Sequence, residues 1–388
     1  MNPPSEFPMR ILQLISSAGH YGAENMLLEL STALDKLGCK LTVGVFDNRD
    51  GRNIDVYRLA QERGLNAQLI QCAGKFDKHA IQRVETCIKD NKIEVLHSHG
   101  YKSNFYGYWA ARNAGAGTVA TCHGWPGTSA ELRIYYLLDK MILRRFDRII
   151  AVSEPIARAL SRAAIPKSKV SQISNGVDTD RFDNSKVDNK TGVFASPRKR
   201  VGVVARLAPE KGIPFLFEAA KEVLQEFPDT EFCLVGDGPE RIRLEALARA
   251  LGIERNVGFW GLRADMPSVY AAIDILVLPS LQEGLPMAIL EAMAAAKPVI
   301  ATRVGAIPRV VIPEKTGILV EPGDSGGLKA AILRFLRDPA TATNFGLNGA
   351  EHVKRNCSAL SMAQKYLNIY TETRDHRRLG TVCVRQTI

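Results

Sequence analysis

The sequence predicts an α/β protein of two Rossmann-like, doubly wound domains facing a cleft, and three observations carry that expectation. The chain has 388 residues, 46% of them hydrophobic, too long for one ordinary core and suited to two domains of about 150–200 residues each. Short apolar runs alternate with helix-period segments through both halves, the pattern of βαβ units around a mostly parallel sheet. Between the halves, residues 183–197 (DNSKVDNKTGVFASP) are polar and lack a helical stripe, which reads as a linker.

In the first half the predicted strands are 11–15, 41–46, 68–72, 95–99, 118–123, 148–153 and 170–175, separated by helices such as 23–37 and 131–145. After the linker the pattern restarts, with strands 200–205, 231–235, 257–260, 275–279, 299–302 and 317–320 and helices at 214–226, 240–251 and 286–296. The expected domains are therefore 1–190 and 191–373, with 374–388, which has no clear period, as a loose tail. Open α/β sheets bind ligands outside the carboxyl ends of their strands, so the residues that follow strands matter most.

Composition narrows the field. The first apolar run, 11–15, is too short for a signal peptide. The best membrane-span candidate, 285–296, is interrupted by Glu291 and falls short of the roughly 20 apolar residues a span needs. The seven cysteines are scattered without a C-x-x-C pair, as reduced structural thiols are. These features predict a cytoplasmic chain. The net charge of +10 suits an anionic partner: nucleic acid, an anionic membrane face or a phosphorylated small molecule. No zinc-finger spacing, helix-turn-helix signature or aromatic RNA-binding motif supports nucleic acid. The plain alternative is that the extra cations solvate the surface.

The richest segment is 278–302, LPSLQEGLPMAILEAMAAAKPVIAT. A strand gives way to a loop carrying Glu283, Gly284 and Leu285, and Pro286 opens a helix at a position that tolerates proline. The free N–H groups of that helix end suit a diphosphate. Glu291 lies in the second turn, and helical side chains lean toward the N-terminus, so its carboxylate tips toward the same place. Two carboxylates beside an anion site suit hydroxyl recognition, on ribose or sugar. Ala288, Ala292 and Ala295 are small enough to let the helix sit close on the sheet.

A second cluster, 201–212 (VGVVARLAPEKG), follows the first strand of the second domain. Arg206 can fork onto phosphate oxygens and Lys211 adds a point charge. The turn Gly236-Asp237-Gly238-Pro239 ends the next strand and permits close backbone approach. In the first domain, the loop 17–24 carries Gly19, Tyr21 and Gly22 into a helix without matching a Gly-x-Gly-x-x-Gly fingerprint. His97, His99 and His123 end two strands. Zinc is the obvious thought, yet the flanking residues offer no carboxylate ligand and only His97 and His99 share a strand face, so no metal is expected. His99 and His123 read as cleft-lining hydrogen-bonding groups, and His97 equally as a structural one.

On these residues the chain resembles the family-four, retaining, GT-B-fold glycosyltransferases, from about residue 9 to 370. The most specific part is 279–293, PSLQEGLPMAILEAM, which holds an E-x7-E motif with Glu283 and Glu291 as its acids. Arg206 and Lys211 in R-L-x-x-x-K-G, Asn175-Gly-Val-Asp178 and Gly236-Asp-Gly-Pro239 accompany it. The resemblance implies that Arg206 and Lys211 hold the donor diphosphate, that Glu291 binds the ribose and that Glu283 contacts the transferred sugar. It also implies that Gly22, Gly236, Gly284 and Leu285 line the donor site, that His123 lines the sugar pocket, and that His99 and Tyr21 lie on the acceptor side. The implied reaction is metal-free transfer with retention, from a UDP- or GDP-sugar used as substrate and without a cofactor, to a glycan or lipid-linked acceptor. Two departures stand out. Tyr21 replaces the first glycine of a common Gly-Gly-Ala-Glu loop, and Arg309 in Gly305-Ala-Ile-Pro-Arg309 stands where a Glu is common.

Three other readings compete: an epimerase or a glycogen-phosphorylase-like enzyme of the same architecture, a nucleotide-sugar-binding protein without transferase activity, and a nucleic-acid-binding protein motivated by charge alone. The E-x7-E spacing opposes the first and the intact Arg206, Lys211, Glu283 and Glu291 oppose the second. The segment 131–145 (ELRIYYLLDKMILRR) is a basic amphipathic helix. It either packs on the sheet with solvated cations or turns its cationic edge to an anionic membrane surface.

Overall fold

The computed structural model describes residues 8–16, 22–48, 54–74, 77–123, 130–182 and 198–385, without the side chains of 130–132 and 379–385. The expected linker at 183–197, Gly19 and Tyr21 lie outside the described residues. Packing divides the chain into two compact units, Met1–Gly176 together with Ala359–Ile388, and Val177–Ser358.

The first unit holds seven parallel strands: β1 (Arg10–Ile15), β2 (Lys40–Asp47), β3 (Asn66–Gln71), β4 (Val95–His99), β5 (Gly117–Cys122), β6 (Arg148–Ala151) and β7 (Val170–Gln172). Their order is β3-β2-β1-β4-β5-β6-β7. Helices cover both faces of such a sheet, so its central strands read as continuous apolar runs. Ile11, Leu12, Leu14 and Ile15 of β1 are all buried. Apart from Thr42 on β2, the polar exceptions lie on the three central strands: Gln13, His97, Ser98, His99, Thr118 and Thr121 are buried too, and buried polar groups need partners.

The second unit holds six parallel strands: β8 (Arg200–Val204), β9 (Glu231–Val235), β10 (Val257–Gly261), β11 (Ile275–Leu278), β12 (Val299–Thr302) and β13 (Gly317–Val320), ordered β10-β9-β8-β11-β12-β13. Val203, Leu216, Phe217, Phe232, Leu234, Ile332 and Phe335 form the centre of its core. Strand order reverses between β1 and β4 in the first unit and between β8 and β11 in the second. At such a reversal the loops leave in opposite directions and open a crevice at the carboxyl ends. Every predicted strand forms, and the largest displacement at an end is three residues, at β7.

The domain boundary at 190/191 is corrected, and so is the loose tail as far as residue 385, residues 386–388 lying outside the described residues. A return helix, Ala359–Arg385, belongs to the first unit. Its inner face buries Met362, Ala363, Tyr366, Ile369, Tyr370 and Thr373, a helical stripe that covers the sheet. Gly117 admits it closely, since a Cβ there would stand 2.7 Å from Cγ2 of Thr373. Beyond residue 373, Arg377 pairs with Asp147 at 3.0 Å and Arg378 with Glu94 at 2.7 Å. The basic run that reads as unpatterned in sequence is thus the outer edge of a docked helix. Where the second unit begins and ends, Val177 N–H donates to Cys357 C=O at 2.9 Å, and Val177 bridges Ser358 in parallel.

Candidate active site

In the second unit the chain leaves β8 through Ala205, Arg206 and Leu207, then makes a short turn, Pro209–Lys211, before the helix Ile213–Glu226. Gly212 joins turn to helix with φ 61°, and a Cβ there would lie 2.2 Å from the carbonyl oxygen of Pro279. Only glycine allows that approach. It seats the Lys211 turn against the end of β11, where Leu281 N–H also donates to Glu210 C=O at 2.8 Å.

Lys211 and Glu283 therefore meet, Nζ to Oε1 at 2.5 Å, and Ser280 Oγ donates to the same oxygen at 2.8 Å. Ser280 is itself held, because Thr302 Oγ1 donates to its carbonyl at 2.5 Å. From the other side Gly305, with φ 58°, closes on the loop, where a Cβ would stand 2.1 Å from Glu283 O. Ala306 N–H donates to Gly284 C=O at 2.8 Å. Glu283 is thus clamped between the turns after β8 and β12. Gly284 is exposed, with nothing within 4 Å of where its Cβ would be, so its backbone faces open space, while Leu285 is buried beneath it. Arg206 is more exposed and pairs with Glu210 at 2.5 Å. Gly236 and Gly238 press on this loop, since their Cβ atoms would lie 2.0 Å from Ala205 O and 2.3 Å from Leu207 O. The glycine turn therefore shapes the backbone that carries Arg206. Arg309 is exposed on the four-residue helix Ile307–Val310.

Glu291 is not a solvated helix charge. It is buried in the helix Met287–Ala294, and Tyr270 Oη donates to its Oε2 at 2.8 Å. Burial, then the neighbouring Glu291, pushes the Tyr270 hydroxyl well above its usual range, so it stays a donor. Ala292 and Ala295 are buried, and Ala288 is half-buried.

In the first unit β4 and β5 bring the three histidines together. His97 is fully buried between Thr121 Oγ1 and Tyr370 Oη, each at 2.7 Å. His99 Nε2 meets Gln13 Oε1 at 2.9 Å and its Nδ1 meets His123 Nε2 at 3.4 Å. Burial above all pushes His97 down to about 3 and His123 to about 4, and holds His99 well below the ordinary imidazole range. All three are neutral near pH 7. Among the described residues no group of three or more His, Cys, Asp or Glu side chains is placed to hold a metal ion. Gly22 is exposed at the start of the helix Gly22–Lys36.

The helix Ala130–Leu143 departs from simple packing on the sheet. Asp139 faces inward, accepting from Asn104 Nδ2 at 2.7 Å. Ile134, Leu137, Leu138 and Met141 are exposed, the first two more than 60%. Arg133, Arg144 and Arg145 are exposed beside them, and Arg144 donates to Ala163 C=O at 2.8 Å. No described helix is long and apolar enough to cross a membrane.

Sequence reasoning missed Tyr270, Ser280, Gln13, Thr121, Tyr366 and Tyr370. Gln13 alone left a signal, a polar residue inside the apolar strand RILQLI.

Two family models match the chain: glycosyl transferases group 1 over residues 198–338 and Glycosyltransferase Family 4 over residues 21–181. The UDP-Gal:alpha-D-GlcNAc-diphosphoundecaprenol alpha-1,3-galactosyltransferase of Escherichia coli is 30% identical, over 69% of this chain and 74% of its own. The GDP-mannose-dependent monoacylated alpha-(1-6)-phosphatidylinositol monomannoside mannosyltransferase of Corynebacterium glutamicum is 31% identical, over 67% of this chain and 71% of its own. Anabaena HepE, solved in complex with UDP-glucose, shares the fold with a TM-score of 0.79 at 23% identity, covering 94% of this chain and 100% of its own.

Proposed function

The chain belongs to the group 1, family-four glycosyltransferases, and we propose that it moves a sugar from a UDP- or GDP-sugar to a glycan or lipid-linked acceptor, with retention and without a metal ion. The observation that carries this reading is the clamped Lys211–Glu283 pair at the β8/β11 crevice. In this reading Arg206 and Lys211 take the donor diphosphate and stabilise the charge that grows on it as the anomeric C–O bond breaks. Glu291, with Tyr270 already on one oxygen, takes a ribose hydroxyl, and Glu283 contacts the transferred sugar. The acceptor oxygen bonds to the anomeric carbon on the face the diphosphate leaves, and the leaving phosphate oxygen takes the acceptor proton. The curated relatives named above use UDP-galactose and GDP-mannose, by their names, which supports a nucleotide-sugar donor.

Incubation with a panel of UDP- and GDP-sugars, an acceptor extract and EDTA tests it. Release of nucleoside diphosphate that survives the chelator, with an α-linked product from an α-linked donor, is expected. No release from any donor, or release that needs added divalent metal, overturns the corresponding part.

The acceptor side reads as membrane-facing. The exposed stripe Ile134, Leu137, Leu138 and Met141, bordered by Arg133, Arg144 and Arg145, suits the cytoplasmic face of an anionic bilayer, where each cation near the surface contributes about 1 kcal/mol. Both relatives act on lipid-linked sugars by name, which supports glycolipid or cell-surface polysaccharide synthesis. Co-sedimentation with anionic but not neutral vesicles is expected, and equal, negligible binding to both at low salt points to a soluble acceptor instead.

A further inference from the structure

A single file of side chains runs from His123 into the first unit and ends on the return helix. His123 Nε2 meets His99 Nδ1, His99 Nε2 meets Gln13 Oε1, and Gln13 Nε2 donates to Tyr370 Oη at 3.3 Å. Tyr370 Oη then meets His97 Nδ1, His97 Nε2 meets Thr121 Oγ1, and Thr121 Oγ1 meets Tyr366 Oη at 3.1 Å. A neutral imidazole donates from one nitrogen and accepts at the other. With each buried hydroxyl along it both accepting and donating, the file has two consistent polarities, all protons pointing one way or all the other.

Gln13 selects between them, because an amide oxygen only accepts and an amide NH2 only donates. With Oε1 toward His99 and Nε2 toward Tyr370, every proton points from His123 to Tyr366. Each of the three histidines then carries its proton on Nε2. His123 is left with a bare Nδ1 that has no partner among the described residues.

We propose that Gln13 and Tyr370 are positioning residues for His123, fixing its imidazole with Nε2 protonated and Nδ1 bare, as an acceptor for a sugar hydroxyl. This rests on the reading of His123 as a sugar-pocket residue. The return helix thereby reaches the chemistry without touching substrate, through hydrogen bonds that fix a tautomer. Neutral imidazoles are what this requires, and burial supplies them.

The test is long-range 1H–15N correlation on full-length protein carrying 15N-labelled histidine, with signals assigned from single His→Asn variants. In wild-type protein, His97, His99 and His123 are expected as Nε2–H tautomers. Tyr370→Phe removes both the acceptor for Gln13 and the donor to His97. It is expected to give His123 a mixed tautomer signal and to lower turnover about tenfold, the size of one ordinary hydrogen bond, with nucleoside diphosphate affinity unchanged. Tyr366→Phe, which removes only the last acceptor, is expected to leave the His123 signal as in wild type. An Nδ1–H tautomer at His123 in wild-type protein overturns the proposal, and so does a Tyr370→Phe variant in which either readout stays put. The wild-type spectrum needs neither variant nor substrate, so it decides the polarity even if no donor is ever turned over.

Discussion

Arg206 and Lys211 are held differently, and the difference predicts different phenotypes. Arg206 is 42% exposed and pairs with the half-buried Glu210, whereas Lys211 neutralises a Glu283 that is only 8% exposed. Arg206→Ala should lower turnover by on the order of 10²–10³ with the melting temperature nearly unchanged. Lys211→Ala should lower turnover similarly and also destabilise the second unit, because it strands a buried carboxylate. Turnover assays paired with thermal melts separate the two, and near-normal turnover in both folded variants would sink the phosphate role. Glu291→Gln keeps an oxygen for Tyr270 Oη but loses the charge. Donor affinity should fall by roughly 1–3 kcal/mol in a calorimetric titration while stability holds. A drop in melting temperature with unchanged affinity would make Glu291 purely structural. The two acids were legible from their spacing of eight residues. Tyr270 was not, since it arrives from the helix Met266–Ala272, and no local pattern announces a contact made only by folding.

Among the elements, β4 carries the clearest physical tension, a central strand whose buried faces hold two imidazoles. In the folded state burial keeps His97 of this strand near 3 and His123, just past the end of β5, near 4, against an ordinary value of 6.5. Their folded values are depressed, so the unfolded chain binds the extra protons below pH 6.5. Stability from these groups is complete above pH 6.5 and is lost as pH falls toward 4. Urea unfolding should therefore show stability dropping between pH 6.5 and 5, above the range where carboxylates protonate. Each histidine that titrates only on unfolding contributes at most about 1.4 kcal/mol per pH unit. A flat profile in that window would mean the imidazoles are already accessible to protons in the folded state. The strands themselves were legible because runs such as RILQLI and EFCLV are apolar on both faces between turn signals. The helix Ala130–Leu143 was legible as a helix but not in its rotation. The inward Asp139–Asn104 bond turns Ile134, Leu137 and Met141 outward, and periodicity alone ranks apolar positions above a buried carboxylate.

On the scale of the whole molecule, the return helix makes the first unit discontinuous in sequence, a property that alternation of strands and helices cannot reveal. Its stripe of Met362, Tyr366, Ile369, Tyr370 and Thr373 has helical spacing and was not read from the sequence. Which sheet it covers depends on Gly117 and on the unmet bonds of Gln13, His97 and Thr121. A chain stopped after Ser358 should leave those groups buried without partners or exposed to water. Hydrogen exchange should then lose protection across the first unit and keep it across Val177–Ser358. Equal protection of both would show the helix to be dispensable. The same discontinuity reverses the usual order on the ribosome, where domains tend to fold as they emerge, N-terminal first. Here the earlier-made part of the first unit must wait, with three central strands unsealed, until the whole intervening unit has been translated and the return helix comes out of the exit tunnel to close them. The second unit is contiguous and free to finish earlier, so a nascent chain whose residues up to 358 have left the tunnel holds a completed younger half and an unfinished older one.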